Sequence, residues 1–423
     1  MEVAFIILFL GVLIFLGNVF NRAFALTKIP DLLILIGIGI LLGPVLGLIT
    51  PDEYGIVGPL FATITLAVIL FEGGLHLKMA TIRSAFQGTI ELTLISFVAT
   101  MLISAGILVF LHLLEPLPAL MVGAAIGGTS SAVVIPMIEY LHLGKDGSAI
   151  LALESAISDV LCIVMVLALL DIYLLGELNV PYVIFRFVST FFIAAILGVI
   201  GGIVWSVLYP HLKTIESVFL TPAFLFIIYG IVSLLGFSGA IAALAFGITL
   251  GNLHSFSIIR LIPASHVEQV ELTHHEVIFL SQLVLLLKTF FFIYLGLSII
   301  LTDTEALKIG LVITLILFAV RILIVRFFIP RSIPVWDASI TSVMIPKGLA
   351  GAVLAAIPLQ NGVLGGEFIE TTTYAIILFS IMICSALVLL LERTSVRALY
   401  ATIFKKFGRV AEPSAQPVVE SPG

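Results

Sequence analysis

Residues 151–162 read LALESAISDVLC, and this stretch decides both the fold and where to look for a function. It lies within an apolar segment, residues 147–175, that is long enough to cross a bilayer, yet it carries Glu154 and Asp159. A charge at mid-bilayer costs roughly 2.5–3.5 kcal/mol on insertion scales. A sequence keeps such a charge only where something pairs with it or binds to it, so these two acids are the first candidates for a functional site.

The composition is that of an integral membrane protein. Of the 423 residues, 61% are hydrophobic and 10% are charged, whereas a soluble domain carries about 25% charged residues. Cys162 and Cys384 lie in separate apolar segments, so we expect neither a disulfide framework nor a thiolate metal site. The opening MEVAFIILFL has no small-residue cleavage signal, which favours a retained first helix. We expect no enzyme activity, no bound cofactor and no nucleic-acid partner; the partner is the lipid bilayer.

The sequence divides into segments of about 20 apolar residues, the length that a membrane helix needs. There are thirteen: residues 3–20, 31–50, 55–76, 88–114, 117–141, 147–175, 181–209, 217–236, 239–254, 277–302, 305–329, 336–358 and 370–392. Short joints rich in proline, glycine and charge separate them. We therefore predict an all-α membrane protein with 13 transmembrane helices, followed by a cytoplasmic tail, residues 393–423, that is basic and Pro-rich and that we expect to be disordered.

The distribution of basic residues supports this count. With the N-terminus outside, fourteen lysines and arginines fall on the cytoplasmic side, two fall on the outer side, and three lie within spans. Cytoplasmic connections carry the excess of lysine and arginine in membrane proteins, and one helix more or fewer would mix the two sets. The prediction is a prokaryotic inner or plasma membrane protein with its N-terminus outside and its C-terminus in the cytoplasm.

Two of the predicted spans carry helix breakers at mid-length. The fifth contains GGTSS at residues 127–131, and the twelfth contains PKG at residues 346–348. Glycine costs about 1 kcal/mol and proline about 3 kcal/mol inside a helix. Because the spans lie seven apart, they run in opposite directions, which predicts an inverted repeat, spans 1–6 and 8–13, with two discontinuous helices that cross at the midplane. The plain alternative is two ordinary kinked helices.

Polar side chains on three spans fall at a similar depth. Asp159, Thr129 and Lys347 lie roughly 17–18 Å from the faces where their spans start, close to the middle of a core about 30 Å thick. On the sixth span, two carboxylates and two hydroxyls share one broad helix face: Glu154, Ser155, Ser158 and Asp159. These oxygens, with carbonyls from a broken helix, predict a site for a hard monovalent cation such as Na⁺ or K⁺.

The alternative is a buried ion pair in which Lys347 or Arg321 permanently neutralises the acid. We expect this for one of the two carboxylates, because a fully paired network would leave the Thr-Ser-Ser break without a role. Three further residues stay open. Glu72, in the third span, either lines a cytoplasmic vestibule or extends to the membrane surface. Lys288 is too deep in the tenth span to do so and needs a partner, and Ser130 belongs to the break.

Several motifs stand in an order that points to a known family: IPDLLILIGIGILLGP at residues 29–44, LFEGGL at 70–75, GGTSSAVVIP at 127–136, ESAISD at 154–159 and PKGLAGAVL at 346–354. Together they resemble the cation:proton antiporter superfamily, most closely its NhaP-type sodium/proton antiporters. The resemblance covers nearly all of residues 1–392. It implies a homodimer in which a core domain, spans 4–6 and 11–13, moves like an elevator against a dimer domain, spans 1–3 and 8–10, with span 7 as linker.

The resemblance also implies residue roles. Asp159 would bind the ion, assisted by Ser155, the backbone near Thr129, and Glu72, and Glu154 would be structural, paired with the basic residues Lys347 and Arg321. Two positions depart from the family pattern. Ser158 stands where the electroneutral branch usually has Asn, the electrogenic branch Asp and the glutathione-gated potassium branch Gln, and Lys347 stands where Arg is usual.

A single titratable site exchanges one ion for one proton, so the sequence predicts electroneutral exchange. The first hypothesis is a Na⁺(or Li⁺)/H⁺ antiporter in which Asp159 holds a cation or a proton in turn. The second keeps the fold and changes the ion to K⁺. The third, from another class, is a channel or a non-transporting sensor built on the same membrane domain.

Overall fold

The computed structural model describes residues 31–49, 57–76, 79–141, 143–176, 180–212, 218–253, 274–394 and 396–408, together with residues 11 and 15. Almost all of the first predicted span, residues 3–20, lies outside this set, and so does the predicted tail beyond residue 408. The number of spans and the sides of the two termini therefore stay predictions.

Every regular element in the described part of the chain is a helix. In chain order they are α1 (Asp31–Ile40), continued by a π-helical turn (Leu41–Val45), α2 (Val57–His76), α3 (Met79–Phe110), α4 (Pro116–Ala125), α5 (Ser131–Leu141), α6 (Lys145–Leu175), α7 (Val180–Leu212), α8 (Leu220–Leu234), α9 (Gly239–Gly251), α10 (His274–Leu297), α11 (Thr304–Phe328), α12 (Val335–Val343), α13 (Leu349–Gln360), α14 (Gly366–Arg393) and α15 (Val396–Ile403). Within the described ranges, six segments are long and apolar enough to cross a membrane: 88–110, 145–175, 191–212, 275–297, 304–328 and 366–393.

Helix α6, which carries LALESAISDVLC, has well-defined ends. Gly144 precedes it in an extended conformation, Asp146 lies in its first turn, and Gly176 ends it with a left-handed φ of 66°. An acid in the first turn and a left-handed glycine after the last are typical of helix termini. With 31 residues and a rise of 1.5 Å per residue, the helix is about 46 Å long, more than the thickness of a hydrocarbon core.

Both predicted breaks are present. Helix α4 ends at Ala125 and α5 begins at Ser131, while α12 ends at Val343 and α13 begins at Leu349. The two interruptions touch each other, since the Ser130 amide donates a hydrogen bond of 2.7 Å to the Pro346 carbonyl.

Glycine makes the close approach of these broken helices possible. A Cβ added at Gly351 would lie 2.6 Å from the Ala125 carbonyl oxygen, and a Cβ at Gly348 would overlap the Ser130 side chain. Gly348 in the break and Gly351 in the first turn of α13 therefore let the broken helices cross in contact.

The helices pack in two groups. The first group, α3–α6 with α11–α14, contains both interrupted helices and Asp159, and the second group consists of α1, α2 and α7–α10. Small residues bring the backbones of the second group close together: a Cβ at Gly39 of α1 would lie 2.8 Å from the Gly296 Cα of α10, and a Cβ at Gly74 of α2 would lie 2.9 Å from the Ile248 amide of α9. This is the close packing that membrane helices use in place of a hydrophobic driving force.

The expectation of a disordered tail from residue 393 is wrong for its first part. Residues 396–403 form helix α15, in which Tyr400 is buried, and Phe404 and Phe407 beyond it are buried too. The segment returns to the start of α12, where the Val335 amide donates to the Gly408 carbonyl at 3.1 Å. The physical reason is that these aromatic residues, spaced three and four apart, form one apolar face.

Candidate ion-binding site

The carboxylate of Asp159 lies against the first interrupted helix. The Ser131 hydroxyl donates a hydrogen bond of 3.2 Å to its Oδ2, and a Cβ added at Gly128 would lie 3.3 Å from its Oδ1. Asp159 is 9% exposed. Ser131 is the first residue of α5, and the N-terminal end of a helix carries a partial positive charge that favours an anion. In the described part of the chain, no lysine or arginine forms an ion pair with this carboxylate.

The Ser158 hydroxyl fixes the break to α6. The Ser158 hydroxyl accepts a hydrogen bond of 3.1 Å from the Thr129 amide and donates one of 3.1 Å to the Ser155 carbonyl. The Thr129 and Ser158 hydroxyl oxygens are 3.5 Å apart. Ser155, fully buried, donates to the Ala152 carbonyl at 3.0 Å. A hydroxyl that donates to the backbone keeps lone pairs that can face a cation.

Lys347 compensates the other half-helix end. Its ammonium donates a hydrogen bond of 3.0 Å to the Gly128 carbonyl, just beyond the C-terminal end of α4, where a helix carries a partial negative charge. Its amide donates to the Ser380 hydroxyl at 2.9 Å. A lysine and an aspartate thus occupy the two ends of opposite charge that the same interruption creates.

Glu154 forms a buried ion pair with Arg321 of α11. The two guanidinium nitrogens lie 2.5 and 2.6 Å from the two carboxylate oxygens, and both side chains are 2% exposed. Arg321 also donates to the Ser96 hydroxyl at 2.6 Å and to the Thr341 carbonyl at 3.3 Å. With this bidentate geometry, Glu154 has a fixed positive partner, which is the role predicted for one of the two acids.

Lys347 differs from its predicted role in this pair. The family resemblance implied that it pairs with Glu154 beside Arg321, but its ammonium donates to the Gly128 carbonyl, and among the described residues the ion pair of Glu154 is with Arg321. A small cavity of about 10 Å³ lies among these groups, lined by Thr129, Glu154, Ser158, Arg321 and Lys347, with residues of α3 and α11.

Three predicted residues, Glu72, Lys288 and Ser130, make none of the contacts described so far with Asp159. Glu72 is half-buried in the last two turns of α2, and Lys288 is buried on α10, so both belong to the second group. Both interact with other residues in the structure, and neither takes part in the hydrogen bonds given above. Ser130 is buried at the crossing, where its side chain packs against Gly348. Their roles in ion binding stay predictions.

Sequence reasoning missed three groups at this site. The sequence identified Ser131 only as part of the break and not as a contact of Asp159. A serine at the start of a helix is nevertheless a recognisable start signal. Ser96 and Thr341 contact Arg321, although they lie 225 and 20 residues from it in the sequence. No spacing in the sequence points to those two contacts, because they depend on how α3 and α12 pack against α11.

The ligand types present suit a hard, singly charged ion. Carboxylate, hydroxyl and backbone carbonyl oxygens surround the break, and such oxygens are the preferred ligands of alkali-type cations. Within the described ranges, no group of three or more His, Cys, Asp or Glu side chains could hold a metal ion. The site therefore offers one negative charge at Asp159 and several neutral oxygens.

Comparison with known proteins then places the chain. The family model described as "Sodium/hydrogen exchanger, transmembrane" matches residues 6–392. The chain belongs to the sodium/hydrogen exchanger family. The K(+)/H(+) antiporter NhaP2 of Shewanella sp. (strain ANA-3) is 26% identical over 376 residues, which cover 85% of this chain and 61% of that protein. The Na(+)/H(+) antiporter 1 of Methanocaldococcus jannaschii is 26% identical over 315 residues, 72% of this chain and 71% of that protein.

A solved structure supports the fold of this exchanger-family chain. The sodium proton antiporter MjNhaP1 from Methanocaldococcus jannaschii at pH 8 superposes with a TM-score of 0.74 at 23% identity, covering 95% of this chain and 99% of that one. The chain spans 61% of the length of the NhaP2 relatives that it matches.

Proposed function

We propose that this chain exchanges a monovalent cation for a proton across the membrane, with Asp159 holding one or the other in turn. The observation that carries the proposal is the setting of Asp159: a buried carboxylate at a helix break that accepts a hydrogen bond from the Ser131 hydroxyl and, among the described residues, forms no ion pair with a basic side chain. A carboxylate in such a place is neutral when protonated and neutral when a cation sits on it, so both states can be enclosed by apolar surroundings.

The exchange is electroneutral because one carboxylate titrates. Glu154 has a fixed positive partner in Arg321, whose guanidinium contacts both carboxylate oxygens. Lys347 stays with the Gly128 carbonyl at the helix end. With Asp159 as the single variable charge, each cation that binds displaces one proton.

Na⁺, or Li⁺, is the cation we propose, and K⁺ is the second candidate. The first follows the name of the Methanocaldococcus Na(+)/H(+) antiporter, of which this chain matches 71%. The second follows the Shewanella relatives, which carry the name K(+)/H(+) antiporter and are matched over 85% of this chain. Either cation would be exchanged for a proton at the same site, and the assay below compares the two cations directly.

Alternating access follows from the two groups of helices. We infer that the first group, with both broken helices and Asp159, is the core domain, and that it moves as an elevator against α1, α2 and α8–α10, with α7 as the linker. The proposal includes thirteen spans in an inverted repeat, an outer N-terminus, a cytoplasmic C-terminus and a homodimer. It rests on the opposite direction of the broken helices and on the sorting of basic residues.

The test is Asp159→Asn in proteoliposomes, with exchange driven by a pH gradient and followed by a pH-sensitive dye as Na⁺, Li⁺ or K⁺ is added. We expect the wild type to exchange and the variant to be inactive while it still purifies as a folded protein. Asp171→Asn, farther along α6, is the matched control and should keep its activity. Undiminished exchange in Asp159→Asn would refute the role, and cation current without proton flux would indicate a channel.

A further inference from the structure

Two cavities lie at the membrane face where α14 begins. The wider one, about 770 Å³, is bordered by the end of the π-helical turn after α1, the end of α10 and the first turns of α14. The second, about 460 Å³, extends between the two groups of helices, with α2, α8, α9 and α10 on one side and α6, α13 and α14 on the other. In the proposed topology this face is the outer one.

One carboxylate borders both cavities. Glu370, half-buried in the second turn of α14, lines the wider cavity and the inner one, as do Tyr294 and Leu359. The Tyr374 hydroxyl, one turn farther along α14, donates a hydrogen bond of 2.7 Å to Glu370 Oε1. Glu367 lies in the wider cavity only and is exposed. The residues that border both cavities therefore include a carboxyl group that the Tyr374 hydroxyl holds in place.

The inner cavity ends close to the candidate ion site. Ile163 and Leu167 of α6 line it, and Ile163 is four residues after Asp159 on the same helix. Four residues correspond to one helical turn, about 6 Å along the axis. Apolar side chains, among them Leu66 and Phe291 of the facing helices, surround this end of the cavity. The inner cavity is thus lined by a residue that lies one helical turn from Asp159.

We propose that this pair of cavities is the outer entrance for the transported cation and that Glu370, which borders both, is a positioning residue that concentrates monovalent cations on the way to Asp159. The inference deepens the proposed function and rests on it. A carboxylate between low-dielectric walls focuses the electrostatic field and raises the local concentration of cations. Tyr294 and Tyr374 add ring faces and hydroxyl oxygens that a partly dehydrated cation can contact.

Glu370 differs from Asp159 in position, and its expected role therefore differs as well. Asp159 lies at the broken helices of the first group, whereas Glu370 lies at the start of α14 and faces solvent-connected space. Loss of its charge lowers cation capture from one face and leaves the exchange step at Asp159 intact. This is a one-sided effect on apparent affinity, and a structural contribution to folding would not produce it.

The experiment measures exchange in vesicles of both orientations, so that the cation is supplied first at the outer face and then at the inner one. Glu370→Gln should raise the outer-face KM for the cation by roughly 5- to 10-fold and leave the maximal rate and the inner-face KM near wild type. Glu370→Asp should stay close to wild type. Glu367→Gln, at the exposed rim, is the control and should change the outer KM much less. N-methylglucamine chloride should shrink the Glu370→Gln effect, because salt screens an electrostatic attraction.

A second measurement tests the path without removing the charge. Ser233 lines the inner cavity, and Ser233→Cys should react with a membrane-impermeant cationic thiol reagent added at the outer face, relative to a wild-type control for Cys162 and Cys384. An equal change of KM at both faces in Glu370→Gln, a change in maximal rate alone, or no reaction at Ser233→Cys would overturn the inference. Wild-type vesicles that exchange nothing would instead contradict the proposed function itself.

Discussion

The ion pair between Glu154 and Arg321 gives a quantitative prediction. Replacing Arg321 by Met removes both guanidinium contacts, at 2.5 and 2.6 Å, and leaves the Glu154 carboxylate without its positive partner. Both side chains are 2% exposed, so water cannot replace the lost partner. Breaking a buried pair by removing one member costs about 3–5 kcal/mol, because the remaining charge is uncompensated. We expect a loss of that size in the free energy of unfolding of Arg321→Met.

The double variant Glu154→Gln/Arg321→Met tests the cause. It removes the charge that the single variant strands, so its loss should be smaller than the sum of the two single losses, with a coupling energy of about 2–3 kcal/mol. Unfolding can be followed by far-UV circular dichroism in mixed micelles as the fraction of denaturing detergent rises. Lys308→Met, an exposed lysine on the same helix, should change stability by no more than about 0.5 kcal/mol. Losses below about 1 kcal/mol, or strictly additive losses, would refute this reasoning.

Two further predictions concern the break. Ser131→Ala removes the hydroxyl that donates to Asp159, and a hydrogen bond to a charged group is worth about 1.5–3 kcal/mol. We therefore expect the KM for the cation to rise at least about tenfold while the protein still folds. An unchanged KM would argue against contact between Ser131 and the ion site. Gly348→Ala places a Cβ against Ser130 where the broken helices cross, and such overpacking typically costs 1–3 kcal/mol. We expect lower stability and slower exchange for that variant, whereas Gly106→Ala, with open space around it, should match wild type in both measurements.

The sequence predicted the broken helices because glycine and proline destabilise a helix wherever they stand in its interior. The segments GGTSS and PKG weaken a helix wherever they occur, and in the structure α4 and α12 end within a few residues of them. Glu154 and Asp159 were found for a related reason, since a charge inside an apolar segment needs an explanation in any fold. Both inferences depend on the local chemistry of a few residues, which is visible in a single sequence.

What the sequence could not give depends on which surfaces meet. The charges alone left open which acid pairs with Lys347, and the family resemblance implied Glu154, but the structure directs the Lys347 ammonium to the Gly128 carbonyl. That choice follows from the crossing geometry, which exposes a helix end beside the lysine. The helix from Val396 to Ile403 was not predicted in this basic and proline-rich tail, although Tyr400, Phe404 and Phe407 form one apolar face.

If a cation and a proton compete for Asp159, binding of a cation must release a proton, and this release can be measured directly. Purified protein in weakly buffered detergent solution is titrated with Na⁺, Li⁺ or K⁺ while a pH indicator records released protons and calorimetry records binding. At a starting pH where the empty site is protonated, we expect about one proton released for each cation bound in the wild type and in Asp171→Asn, and neither binding nor release in Asp159→Asn. Cation binding without proton release, or the same release from Asp159→Asn, would contradict this competition.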